Sequence, residues 1–287
     1  MKHLVVICFA AFAAASAANA ACDSTVAPGK FSGLTVRLAG NAVIFAKKRL
    51  AVDADGAPNS YLVDGNGLSY TCDGLVAIVN GKRSTPDNDK SHWQKNCRDG
   101  WAAAKASGDY SKLDIFGFAT DEHKVPLIQQ DGDPLPGKGF ISETTVAVSE
   151  GAIGTQRHWV DATKISYVVL SSSFVSTFDV NPGDVAAVYR PRNGRIAYAV
   201  YGDGGALGEG SVELHNALGN NPIIIDGRGM ERAKSEIDGE TILTVVFPGI
   251  ATHPILDSSK WNAEIAAKGK QALDAWGGIE RLNACLN

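Results

Sequence analysis

Short runs rich in Val, Ile, Tyr and Phe recur along the whole chain, each soon broken by Gly, Pro, Asn or Asp. "AVIFAKKRLAV", "LVAIVN", "ISYVVLSS", "VAAVYR", "RIAYAVYG" and "TILTVVFPG" are the clearest, with "GLTVRLAG", "LDIFGFAT" and "TTVAVSE" between them. β-Branched and aromatic side chains fit a pleated, half-buried surface, so this vocabulary predicts strands. In "VAAVYRPRNGRIAYAVYG", Asn193-Gly194 stands between two such runs. It predicts an antiparallel pair joined by a short turn with positive backbone angles. Helical signals are fewer: "SHWQKNCRDGWAAAKASG", "SVELHNALG" with Ser211 as N-cap and Gly219 as stop, and "SSKWNAEIAAKGKQALDAWGGIERL". The expected fold is mainly β with flanking helices.

Residues 1–20, "MKHLVVICFAAFAAASAANA", have a basic start, an apolar middle and Ala18-Asn19-Ala20 at the end, the pattern of an export signal. A lipid anchor on Cys22 is disfavoured, because Asn19 stands where a leucine-like residue belongs. Residues 21–287 are long enough for a sizeable core and read as a single domain. No later apolar run approaches the roughly 20 residues that span a bilayer. The polar stretch 81–100 resembles a linker, but Trp93 and Cys97 within it argue for a stapled loop of the same body. With 27 basic and 31 acidic residues the formal net charge is −4, and loss of Lys2 with the leader makes the chain more acidic still. That balance weighs against nucleic acid or a membrane as partner, and a monomer is expected.

Of five cysteines, Cys8 leaves with the leader. Cys22, Cys72, Cys97 and Cys285 form an even set in an oxidising compartment, which predicts two disulfides. Three pairings are open. Cys72 with Cys97 would close a polar loop and Cys22 with Cys285 would tie the termini to one body, and this pairing is favoured. A zinc site is disfavoured, since no two cysteines stand two to four residues apart.

Several sites fail on their chemistry. "VYGDGGALGEGS" is glycine-rich, yet it carries no basic residue and sets Asp203 and Glu209 where a bound phosphate would sit. "DADG" with Asp64 resembles the opening of a calcium loop, but Pro58 occupies the place that needs glycine. No Gly-x-Ser-x-Gly elbow is present, and the histidines are scattered. Trp93, Trp101, Trp159 and Tyr201 could stack on sugar rings, although core packing is the commoner fate of such residues. There remain Asp203 and Glu209, two acids in an open loop of small residues that a strand positions, which is where functional groups tend to sit.

The segment "GDVAAVYRPRNGRIAYAVYGDGGALGEGSVEL" resembles the core of the fungal-type chitosanases of glycoside hydrolase family 75. The matching pieces are Gly183-Asp184, the stretch Tyr198 to Asp203, and Gly208-Glu209-Gly210-Ser211. "AVDADGA", "DPLPGKGFISETTVAV", "ISYVVLSSSF" and "TILTVVFPG" agree with further family segments in order, so the likeness spans about residues 45–261. Two departures stand out: the loop from Asp203 to Glu209 is short, and Ala51 replaces the first acid of the family's Asp-x-Asp-x-Asp-Gly segment.

The resemblance implies a secreted endo-hydrolase of chitosan or glucosamine oligomers, inverting, with Asp203 and Glu209 as the catalytic pair. Such chemistry needs one carboxyl to protonate the leaving oxygen and one carboxylate to activate water, roughly 6.5–9.5 Å apart. Asp53, Asp55 and Asp64 are candidates for holding glucosamine ammonium groups, and Tyr201 for contacting a sugar ring. No metal or organic cofactor is implied. The fold it suggests, by analogy with other barrel-type inverting glucanases, is a bent six-stranded β-barrel of double-psi type with helices outside.

Overall fold

A computed structural model describes residues 21–31, 33–148 and 151–286. The leader expected over residues 1–20 therefore lies outside the described residues.

Six strands close into a barrel. They are β1 (Ala42–Asp53), β2 (Tyr167–Leu170), β3 (Asp184–Arg190), β4 (Arg195–Gly204), β5 (Glu209–Ser211) and β6 (Ile237–Ala251). Around the ring the order is β1-β5-β2-β4-β3-β6, and β6 pairs back onto β1 to close it. The neighbours β1/β5 and β2/β4 are parallel, while the other pairs are antiparallel. The mainly β barrel with flanking helices expected from the sequence is thus what forms.

The wall is apolar wherever it is covered on both faces. From Asp184 to Tyr189, β3 is buried throughout, with the barrel interior on one side and helix α4 (Ser258–Trp276) on the other. Continuous burial explains why "VAAVY" shows no polar alternation. β1 begins buried over Ala42–Phe45 and then exposes Ala46, Lys48 and Arg49. Fixed tryptophans tie α4 to the barrel: Trp261 Nε1 donates to Thr252 Oγ1 at 2.8 Å and Trp276 Nε1 to the Ala39 carbonyl at 2.7 Å. Each side chain of that size withdrawn from water contributes about 2–3 kcal/mol.

The β3–β4 hairpin pairs Arg190 with Arg195, so its loop holds the four residues Pro191–Gly194. Gly194 alone of the Asn-Gly pair takes a positive φ, 70°. The expected turn with positive angles at both residues is corrected. Pro191 opens a longer loop, and the Asn193 side chain instead donates to the Leu218 carbonyl.

Helix α1 (Trp93–Ser107) sits where the polar stretch ends and packs on a three-stranded sheet of Leu75–Val79, Lys82–Arg83 and Leu113–Ile115. Both expected disulfides form, Cys72–Cys97 and Cys22–Cys285. The first staples α1 to the turn at Thr71–Asp73. Helix α2 (Ser172–Phe178) was not legible in "SSSFVSTF", because β-branched and aromatic residues obscure it, and Ser171 caps it by accepting from Phe174 N. Helix α3 (Val212–Ala217) starts on the Ser211 cap as expected, and α5 (Gly278–Ala284) follows α4 after Gly277. "TTVAVSE" makes no strand in its described part, contributing only a bridge from Ala147 to Trp159.

Candidate active site

The loop carrying Asp203 is set by a strand irregularity. Along β2 and β4, Val168 faces Tyr201 and the next residue, Val169, faces Asp203, so Gly202 is an extra residue bulged out of the ladder. A bulge bends a strand and re-aims the side chain beside it. Only glycine fits there: a Cβ on Gly202 would lie 2.5 Å from Tyr167 Cβ, and Tyr167 is fully buried.

β5 then brings Glu209 back to the same row. Gly210 faces Val168 antiparallel, which places Glu209 beside Val169 on the side opposite Asp203. The two carboxylates therefore flank one valine across three strands, pointing to one face. Two strand spacings separate their backbones by about 9–10 Å. On the other side of β5, Ser211 pairs with Asp53, which puts Asp53 on that face as well.

All three line a cleft of about 530 Å³, together with Asp55, Asp73 and Glu143. Six carboxylates and no lysine or arginine line it. Tyr61, Phe116 and Trp159 supply aromatic surface, and Phe116 is 49% exposed.

The four central acids differ in their environments. Asp203 is buried, yet its Oδ1 accepts from Thr145 N at 2.7 Å, Gly204 N at 2.7 Å and Thr145 Oγ1 at 3.0 Å. Burial raises its pKa, and these donors together with a hydrogen bond from Asp53 offset that rise only in part. Asp53 is raised well above the ordinary carboxylate range, first by burial and then by the Asp203 charge. Asp55 is raised likewise by burial and by Asp53, and it hydrogen-bonds the Tyr61 hydroxyl. Carboxyl oxygens of Asp53, Asp55 and Asp203 come within 4.8 Å of one another, close enough to hold a cation between them, and Asp53 hydrogen-bonds Asp203, which lets that pair share a proton. Proton sharing suits the donor set: Asp203 Oδ1 is saturated by N–H and O–H donors, which favours its ionised form, and Asp53 keeps the proton. Glu209 is raised by burial and by Asp203, against the opposing pull of Lys47 and Arg49. Lys47 Nζ donates to the Leu207 carbonyl at 2.7 Å and so pins the loop leading to Glu209.

Residues 130–280 match the family described as fungal chitosanase of glycosyl hydrolase group 75. The chain belongs to this family. No curated protein matches the chain. Family membership makes it a glycoside hydrolase, and the matched residues include Asp203, Glu209 and the wall of the cleft formed by Glu143, Thr144 and Thr145.

Of the residues singled out in the sequence, the fold brings Asp53, Asp55, Asp203 and Glu209 together. It does not bring Asp64 or Tyr201 to the cleft. Asp64 sits in an exposed turn, its carboxylate accepting from Asn66 N at 2.9 Å and Asn66 Nδ2 at 3.2 Å. Tyr201 is 5% exposed and packs in the barrel core, because the bulge after it turns Asp203 outward and leaves the tyrosine inside. The Gly183-Asp184 pair of the family pattern serves the fold. Asp184 Oδ2 accepts from Asn181 N at 2.7 Å and Gly249 N at 3.1 Å, clasping β3 to β6. Glu143, Asp73, Tyr61 and Phe116 were missed. Glu143 and Thr145 stand inside "ISETTVAV", a stretch that matched the family pattern, but nothing in the local sequence marks them as facing Asp203.

Proposed function

We propose that the protein is a secreted endo-chitosanase that cleaves β-1,4 glucosaminidic bonds with inversion, Glu209 protonating the leaving oxygen and Asp203 orienting the attacking water. The row Asp203–Val169–Glu209 carries this reading, since it sets two carboxyls on opposite sides of one cleft at a spacing suited to an intervening water. The division of roles follows from environment. Three donors on Asp203 Oδ1 favour a carboxylate, the form that accepts a proton from water. Glu209, raised by burial, retains a proton to give.

Asp53 in this reading is no ammonium holder. Protonated, it donates to Asp203 and keeps that carboxylate ionised. Glu143 and Asp73, on the cleft wall, take over the attraction for the substrate's ammonium groups. Phe116 offers a sugar ring an exposed apolar face. The mechanism calls for carboxyl groups and water alone. Secretion is supported by the leader pattern of residues 1–20 and by the two disulfides; residues 21–287 are read as one hydrolase unit, of which 130–280 match the family.

The test is turnover and stereochemistry together. Asp203→Asn and Glu209→Gln keep shape but remove the proton chemistry, and each is expected to lower hydrolysis of a glucosamine hexamer by about 10²–10⁴-fold with unchanged circular dichroism. Proton NMR of the first product should show the α anomer. An initial β anomer contradicts inversion. Wild-type protein that binds the hexamer without cutting it makes the fold a binding module.

A further inference from the structure

Beside the acidic cleft lies a second groove of opposite charge. Its volume is about 450 Å³, and Asp73 lines both cavities, so the two meet at that residue. Arg98, Arg228 and Lys234 line the groove against the single carboxylate of Asp73, with Trp93, Trp101 and Tyr70 as its aromatic surface. A chain of net charge −4 thus gathers three cations at the end of a cleft lined by six acids.

The groove is built. Cys72–Cys97 joins its two walls covalently, holding α1 with Trp93, Arg98 and Trp101 against the Tyr70–Asp73 turn. Arg232, fully buried, pairs with Asp226 at 3.1 Å, donates to the Gly67 carbonyl, and lies 4.5 Å from the Tyr70 ring centre. That clasp fixes the third wall, from which Arg228 and Lys234 project. Arg228 is only loosely committed, 3.5 Å from Asp226. Among the described residues, Arg98 has no carboxylate in ion-pair reach, and Lys234 lies over Tyr70 at 5.3 Å, its charge acting on Asp73 through space without an ion pair. Trp93 is half-buried and engages no other ring among the described residues, which leaves a face for a pyranose.

A polycation alone would be repelled here. We propose that this groove holds an oxyanion-bearing sugar, a uronate or a sulfated hexosamine, belonging to a glycan whose amino-sugar portion lies in the acidic cleft. Guanidinium groups grip carboxylate or sulfate through two parallel N–H donors, and the ring rests on Trp93. Asp73, at the junction, takes the ammonium of the next sugar. This inference rests on the cleft's being a glycan site, but its test does not need turnover.

Tryptophan fluorescence and calorimetry would follow titration of the full chain with a glucuronate–glucosamine disaccharide, glucosamine 6-sulfate and a glucosamine dimer. Both anionic probes or one of them should bind saturably, and the one that binds names the oxyanion. Arg98→Gln with Lys234→Gln should weaken that binding at least about 10-fold, and raised salt should weaken it too. Glu209→Gln should bind the same probe unchanged, even though it cannot hydrolyse. The proposal is overturned if neither anionic probe binds, if the double variant binds as wild type does, or if only the glucosamine dimer binds. Failure of chitosan hydrolysis in the wild type, with anion binding intact, would instead strike the proposed activity.

Discussion

Replacing Asp53 by alanine should move the acid limb of the pH–rate profile upward. In the folded protein Asp53 hydrogen-bonds the Asp203 carboxyl and thereby lowers its pKa. A hydrogen bond to a charged group is worth about 1.5–3 kcal/mol net. Losing it should move the balance between ionised and protonated Asp203 toward the protonated form by about 10–100-fold, so the Asp203 pKa should rise. Turnover of a glucosamine hexamer, measured from pH 3 to 8, should therefore lose its acid limb at higher pH in Asp53→Ala. Below the new limb the deficit is about 10–100-fold, and it narrows as pH rises and Asp203 ionises again. Asp53→Asn retains an N–H donor and should shift the limb much less. The opposite sign refutes the reasoning. If Asp53 were ionised, its removal would relieve like-charge repulsion and the limb would move down. A raised Michaelis constant with an unmoved profile would return Asp53 to holding the substrate's ammonium.

Two further outcomes follow from the same geometry. His215 is buried, its Nε2 donating to the Ala51 carbonyl at 3.1 Å and its Nδ1 accepting from Asn220 Nδ2 at 3.1 Å; its pKa is lowered to about 4, chiefly by burial. A histidine with a depressed folded pKa binds protons more readily when unfolded, so stability should fall as pH drops from about 6.5 through 4, by up to about 3 kcal/mol. His215→Gln should flatten that slope in urea titrations between pH 7 and 4, and an unchanged slope would count against it. Gly202→Ala should cost about 1–3 kcal/mol in urea unfolding through its clash with Tyr167, and should reduce turnover although Asp203 is intact. Wild-type turnover in that variant would show that the bulge does not aim Asp203.

Much of the fold was written in local pattern. Val- and Ile-rich runs become barrel strands because a pleated wall buried on both faces rewards such side chains, and Ser211 caps α3 because its hydroxyl reaches the Leu214 amide. The cysteine pairing was legible too, because a short polar loop and the two ends of the chain are natural partners for closure. Asp203 and Glu209 stood out in sequence, as acids in a loop of small residues.

Their partners did not show as such: Asp53 stood out for a different role, and Glu143 and Thr145 not at all. Asp53, Glu143 and Thr145 lie far from Asp203 along the chain, and only ring closure and the pairing of Ser211 with Asp53 bring β1 beside the row of Asp203 and Glu209. Whether a carboxyl keeps its proton depends on burial and on charges a few ångströms away through space, and no local pattern encodes either. Asp64 shows the converse: it is near Asp53 and Asp55 in sequence, but its turn leads it out to solvent, where it binds its own Asn66. The sequence determined which segments are strands, where they are capped and which acids are worth attention. The tertiary structure decided which of those acids face one another and so which of them can exchange a proton, because electrostatic coupling follows distance in space and not position along the chain.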